Sequence, residues 1–305
     1  MNPAVYTKRV LPHPLLQPHV RFFAFRKFDS GRRIFPKAII TEHEVIITFF
    51  LHCNLFGLET IEGINDLHLC NKNNPVGCHF TGLQTFTKGL ILFKGATTIL
   101  SIHFMPTGFY HLFNVSPKEI LDKFGDTEIL FSNEIRLLVE ELHNQNNIET
   151  TVHVLEKYLL QRLSQQKPRY RHPGIRSISE TLVQSNGIYP IKKLANDYNL
   201  TIQTLETQFT EQVGIDPKSF CCMLRFNKAV NIKLYTPQVT WTRIAHRCGY
   251  YDQMHLIKEF KKFTALSPKN FMSLVRPPIE NFIKTFIILF YSFTNFLQDA
   301  SFDNL

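Results

Sequence analysis

None of the six cysteines in this 305-residue chain forms a Cys-x-x-Cys pair or a regular framework. A disulfide scaffold and the common redox and zinc-knuckle motifs are therefore excluded. The amino terminus, MNPAVYTKRVLPHP, lacks the apolar stretch that a secretion signal needs. Together these absences predict free thiols in a reducing, cytoplasmic setting. There is no glycine-rich phosphate loop and no Gly-x-Ser-x-Gly elbow, so two common enzyme signatures are missing and no catalytic residues or cofactors are expected. The longest apolar run, FIKTFIILFYSFTNFL (282–297), is interrupted by Lys284, Ser292, Thr294 and Asn295. It is too short to span a bilayer and is expected to fold back on the protein, with no membrane as partner.

What the chain does have is positive charge, unevenly placed. The formal net charge is +9; residues 1–170 contribute +3, residues 171–276 contribute +8 and the tail 277–305 contributes −2. A basic excess confined to about 106 residues points to nucleic acid or another anionic surface, although such an excess also arises on an ordinary solvated face.

The chain divides near KPRYRHPG (167–174), a polar, basic stretch broken by Pro168 and Pro173. Residues 1–168 form one domain, 174–276 a second, and 277–305 an apolar tail. In the first, VRFFAFRKF (20–28), AIITEHEVIITFFLH (38–52) and GLQTFTKGLILFKGATTILSIHF (82–104) are rich in β-branched and aromatic residues and read as strands. Helices are expected from Pro106 to about Asn114 and across roughly 132–166. This makes an α+β chain whose strand-rich first domain is closed by helices.

The second domain repeats itself. LANDYNLTIQTLETQFTEQVGIDPKSF (194–220) aligns with IAHRCGYYDQMHLIKEFKKFTALSPKNF (244–271). Leu194-Ala195 matches Ile244-Ala245; after one extra residue in the turn, Leu205, Phe209, Ile215, Pro217 and Phe220 match Leu256, Phe260, Leu266, Pro268 and Phe271. Each copy reads as helix, tight turn, helix. Asn199 and Gly249 suit the left-handed turn position, and Thr201 and Asp252 can cap the second helix. Asp216-Pro217 and Ser267-Pro268 can start a further helix. This is the helix-turn-helix arrangement, in which the second helix enters the major groove of DNA.

In the second copy the face opposite Leu256, Phe260 and Phe263 carries Met254, Ile257, Lys258 and Lys261. Apolar groups there can meet thymine methyls, and the lysines can reach bases or phosphates. The alternative is that Met254 and Ile257 pack against the rest of the protein. Between the copies, PKSFCCMLRFNKAVNIKLY (217–235) has no internal proline or glycine, and as one helix would span about 28 Å. It can hold two recognition helices near the separation of about 34 Å that adjacent major-groove segments require.

Residues 174–272 resemble the DNA-binding domain of the AraC/XylS family of transcriptional regulators; RIAHRCGYYDQMHLIKEFKKFTALSPKNF is close to that family's signature. The resemblance implies an all-α domain of two helix-turn-helix motifs on a linking helix. It places base contacts on Gln203, Glu206 and Thr207, with Thr204 beside them, and on Gln253, Met254, Ile257 and Lys258. Arg243, Lys258, Lys261 and Lys262 are expected to neutralise phosphates. The first recognition helix departs from the pattern: it has no Lys or Arg but holds Glu206 and Glu211, which repel nearby phosphates and move the expected contacts to the second motif.

More loosely, residues 1–166 resemble a sensor-like domain found before such DNA-binding domains, through PLLQPHVRFFAF and SIHFMPTGFYHLFNVSPKEI. In the wider family this is a cupin or jelly-roll barrel that binds an effector or dimerises. The partners so implied are double-stranded DNA, with RNA polymerase, an unidentified small-molecule effector and a second protomer left open; the implied location is the cytoplasmic nucleoid. A cupin metal site commonly uses His-x-His, which occurs nowhere here; Glu42-His43-Glu44 offers one histidine. His68, Cys70, Cys78 and His79 could furnish an N₂S₂ zinc set, but their spacing fits no standard knuckle, and the expected reading is ordinary loop residues with free thiols and no metal. His103 and His111 read as core or surface histidines. Alkyl-accepting repair enzymes that carry AraC-type domains have a Pro-Cys-His-Arg run, absent here. The competing function is a ligand- or metal-binding module whose basic helices make only protein or nonspecific contacts.

Overall fold

Among the described residues the strand-rich pattern becomes seven antiparallel strands. The computed structural model describes residues 5–39, 41, 43–60, 63–69, 77–86, 89–166 and 174–274, with the backbone alone at 36–39, 55–60, 63–69, 89–90, 132–133 and 273–274. The strands are β1 (Val5–Val10), β2 (Val20–Ile39), β3 (Ile46–Thr60), β4 (Gly63–Leu69), β5 (Cys78–Thr81), β6 (Gly89–Phe104) and β7 (Phe124–Asp126). They form one sheet in the order β1-β2-β6-β3-β5-β7, with β4 paired to β3.

Among the described residues, buried side chains lie on both faces of this sheet. Along β6, Leu100, Ile102 and Phe104 join the main core, whereas Phe93 and Ile99 join a second cluster with Phe28, Phe35, Phe50 and Ile91. That division follows the alternation of side chains along a strand. The second face is folded on itself. Phe28 and Phe35 share β2, yet their ring centroids lie 5.5 Å apart; seven residues of extended strand would cover about 23 Å. The pairing of β2 with β6 shifts register between Asp29 and Ile34, and Gly31 adopts φ +60° there. A curled, barrel-like sheet results, as expected.

Helices α1 (Gly108–Phe113), α2 (Glu128–His143) and α3 (Ile148–Gln165) cover the other face. The helical stretch expected across 132–166 is thus two helices. The intervening segment, Asn144–Asn147, is all amide side chains, which favour local bonds to the backbone over helix continuation. Asn147 ends the interruption by accepting from the Thr150 amide at 2.8 Å, capping α3.

The C-terminal domain is all helix: α4 (Gly174–Gln184), α5 (Ile191–Asp197), α6 (Ile202–Val213), α7 (Pro217–Tyr235), α8 (Trp241–Arg247), α9 (Gln253–Thr264) and α10 (Pro268–Leu274). The linking helix α7 has the bounds read from the sequence. Residues 167–173 at the boundary and the tail from 275 lie outside the described residues, as do Cys70 and the side chain of His68. Among the described residues, no helix is long and apolar enough to cross a membrane.

The two domains share one interior. The main core runs from Val20 and Phe104 through Phe109 and Phe131 to Phe209, Phe226 and Phe260. Polar bonds stitch the seam: Ser116 donates to the Glu211 carbonyl at 2.7 Å, Thr41 to the Phe263 carbonyl at 3.2 Å, and the Asn227 amide to Nδ1 of His43 at 3.0 Å.

Candidate nucleic-acid interface

Each helix-turn-helix copy is built by local rules that the sequence states. Asn199 and Gly249 take the left-handed conformation at φ +52° and +73°. Thr201 accepts from the Thr204 amide at 3.1 Å, and Asp252 from the His255 amide at 2.7 Å, so both recognition helices, α6 and α9, are capped as read. Asp216 and Ser267 cap α7 and α10 ahead of their first-turn prolines. Beneath α6 lie Leu205 and Phe209; beneath α9 lie Leu256, Phe260 and Phe263, all essentially without solvent contact. Ala195 and Ala245 are buried where the helices of each motif cross. The repeat is therefore a repeat of packing.

The opposite faces are open. In α6, Gln203, Thr204, Glu206, Thr207 and Glu211 are exposed. In α9, Met254 is 60% exposed, Lys258, Lys261 and Lys262 are exposed, and Gln253 and Ile257 are intermediate. Met254 thus stands in water one helical turn before Lys258. Arg243 is exposed on α8. Gln253 accepts a hydrogen bond from the Thr242 hydroxyl at 2.7 Å, which ties its amide to α8.

Three features escaped the sequence reading. Tyr251, the one residue by which the second turn is longer, is 88% exposed. Lys193, exposed on α5, occupies the position that the repeat assigns to Arg243. The first motif therefore has a cation on its crossing helix although its recognition helix has none, and the alignment at an offset of 50 could have shown it. Third, α9 is braced from beneath by Arg225 of α7, whose guanidinium reaches Glu259 at 3.2 Å and the Gly187 carbonyl at 3.3 Å. His255 lies 3.7 Å from the same carboxylate. Burial, and then the Glu259 carboxylate, push the neighbouring Cys222 thiol up to about 11.

Of the four zinc candidates, only Cys78 and His79 have described side chains. Cys78 and His79 are neighbours on β5 and leave it on opposite sides: Cys78 enters the main core, while His79 stacks on Phe124 at 5.3 Å. Burial drives the Cys78 thiol far above its ordinary range, against the thiolate that zinc requires. His103 is buried with Nδ1 3.0 Å from Glu44, which also pairs with Arg21. His111 lies against Arg176 and His19. Among the described residues, no three His, Cys, Asp or Glu side chains form a metal-binding group.

Residues 194–273 match the sequence family described as "Helix-turn-helix domain". The chain is similar to the HTH-type transcriptional activator RhaS of Escherichia coli, with 30% identity over 77 residues, 25% of this chain and 27% of RhaS. The match thus spans about a quarter of the length of such relatives. Among solved structures, ToxT from Vibrio cholerae aligns over 82% of this chain and 98% of its own with 10% identity and a TM-score of 0.42. The AraC-like transcriptional activator CuxR aligns over 71% and 92%, with 12% identity and a TM-score of 0.26. Residues 194–273, with two capped helices whose outer faces stand open, are a helix-turn-helix domain.

Proposed function

We propose that this protein is a sequence-specific DNA-binding transcription regulator that reads two adjacent major-groove segments with α6 and α9. The observation that carries this is the pairing of two recognition helices, each cored by Leu and Phe on one side and open on the other, on the single 19-residue helix α7. A rigid connector in one polypeptide does what a dimer of single motifs does with a symmetry axis. Base reading falls to Gln203, Thr204, Glu206 and Thr207 in one half-site and to Gln253, Met254, Ile257 and Lys258 in the other. Arg243, Lys261 and Lys262 hold phosphates, and Lys193 takes the Arg243 role in the first motif. The N-terminal body receives a signal, either a small molecule or a second protomer, and passes it through the shared core. The site of action is the nucleoid in the cytoplasm, with RNA polymerase as the downstream partner and no catalysis or cofactor.

Gel shifts with the full-length protein on the DNA upstream of its own gene, across a salt series, test the reading. Retention of a discrete complex against excess unrelated DNA supports it. Binding that is equal on all sequences and fades uniformly with salt would instead favour a module making only nonspecific contacts.

A further inference from the structure

The two helix-turn-helix copies touch each other, although the linking helix α7 already joins them. The contact is made by the loop between α4 and α5, residues 185–190, which leads into the first copy. Gly187 lies directly against α7, where a Cβ would overlap the Cys221 carbonyl. Its neighbour Ile188 reaches the turn of the second copy: a Cβ added at Gly249 would stand 3.2 Å from Ile188 Cγ1. Arg225 of α7 fills the angle between these contacts. Its Nη1 donates to the Gly187 carbonyl at 3.3 Å, and its Nη2 donates to the Glu259 carboxylate of α9 at 3.2 Å. Its Cζ lies 5.5 Å from the ring centroid of Tyr250, a buried residue of the turn before α9. One guanidinium thus ties the linking helix to the entry loop of the first copy and to both the turn and the recognition helix of the second.

Neither copy needs this arrangement in order to fold. Each has its own core, Leu205 with Phe209 and Leu256 with Phe260, and its own capped recognition helix. A largely buried ion pair also adds little net stability, because desolvation offsets most of its attraction. What a guanidinium supplies is geometry: its planar fork holds two acceptors at a set angle, which the single point charge of a lysine does not. We propose that Arg225 is a positioning residue that clasps α9 to the entry loop of the first copy and thereby sets the spacing of the two major-groove segments the protein accepts. This rests on the reading of α6 and α9 as paired recognition helices. With the clasp in place, α9 cannot tilt on α7 without breaking its tie to the first copy. Each base pair added between the segments carries the far one about 3.4 Å along the DNA axis and about 35° around it. A clasped pair of helices cannot follow that displacement and loses contacts in one segment. An unclasped pair can follow it.

The test reads a ratio of affinities. Duplexes that the full-length parent selects from a random pool are remade with one base pair added or removed between the two protected segments. The parent should bind the selected spacing about ten-fold or more tightly than either neighbour, the cost of losing one good pairing of a side chain with a base. Arg225→Met combined with Glu259→Met, which leaves no buried charge unpaired, should reduce that preference to about three-fold or less. Ile188→Ala, at a side chain 46% exposed, loosens the second contact without opening a core and should move the ratio the same way, even if the double variant does not fold. A loss of stability alone lowers the folded fraction for every duplex equally and leaves the ratio where it was. Lys261→Ala, which removes a phosphate contact, should weaken all three duplexes alike. The clasp is overturned if neither variant lowers the ratio, if the parent accepts all three spacings equally, or if the selected site has one protected segment; specific binding leaves the regulator reading standing in each case. A parent that selects no sequence overturns both.

Discussion

Truncating Phe260 to alanine separates the scaffold of the second motif from its reading surface. The ring is 1% exposed and meets Phe226, Phe271 and Trp241 at centroid separations of 5.0, 5.1 and 5.5 Å. Removing about 150 Å² of buried aromatic surface at about 25 cal/mol per Å² costs about 4 kcal/mol. A partly compact denatured state lowers that figure, and the cavity left among three rings raises it. Core truncations of this kind cost about 3–5 kcal/mol, against a total stability of about 5–15 kcal/mol for a typical domain. Urea unfolding read by Trp241, the only tryptophan, reports the loss directly. Phe260→Leu, at about 1.5 kcal/mol or less, keeps the measurement possible if the alanine variant does not fold. Met254→Ala, at a side chain 60% exposed, should leave stability within about 0.5 kcal/mol of the parent and weaken DNA binding instead. If Phe260→Ala unfolds at the parent's urea midpoint and merely loses DNA, the ring is a contact residue and the assigned faces of α9 are reversed.

Gln253→Ala and Lys258→Ala should each weaken the selected site by about 1–3 kcal/mol and relax its sequence preference, with urea midpoints unchanged; unaltered affinity in both would take α9 out of the groove. Replacing Lys261, Lys262 or Lys193 singly by alanine should lower the salt slope of binding by about one unit. Gln203→Ala and Thr207→Ala should change preference in one half-site at constant slope, and the full-length footprint should show two protected segments about 10 bp apart. One protected segment, with Gln203 and Thr207 variants behaving as the parent does, would make the first motif a structural prop. Gly214 closes α6 at φ +104°, where an added Cβ would sit 2.9 Å from Pro117 Cβ, so Gly214→Ala should cost about 1–2 kcal/mol of stability; no loss would mean that this seam between domains is not tight.

The C-terminal domain was legible because its determinants are local and repeated. Caps at Thr201, Asp252, Asp216 and Ser267, left-handed turns at Asn199 and Gly249, and an apolar period placed the helices from α5 to α10 before any tertiary contact was considered, whereas α4 was not read. The N-terminal body was legible only as strand-rich. Its folding back depends on a break within β2 at Asp29–Ile34, and FDSGRRIF carries a glycine but no interruption of the β pattern strong enough to announce it. The Arg225–Glu259 brace and the pairing of Thr7 with Arg26 join residues distant in sequence. No period or spacing encodes such pairings; only the register of the sheet and the crossing of α7 under α9 create them. Adjacency misleads in the opposite way at Cys78 and His79, which are neighbours in sequence yet leave their strand on opposite sides.

The seam between the domains has a thermal consequence. Since one apolar interior runs through both, and Ser116 caps a carbonyl of α6 from the other side, neither part can melt without exposing the flank of its neighbour. The chain should therefore unfold in one calorimetric transition, its van't Hoff enthalpy equal to the whole measured heat. A lesion buried in α9 would then lower the melting point by about 2–4 °C per kcal/mol, as suits a large unit, rather than the about 4–8 °C of a free-standing domain of about 100 residues. Heat taken up by the β-sheet would fall in step, although the lesion lies outside it.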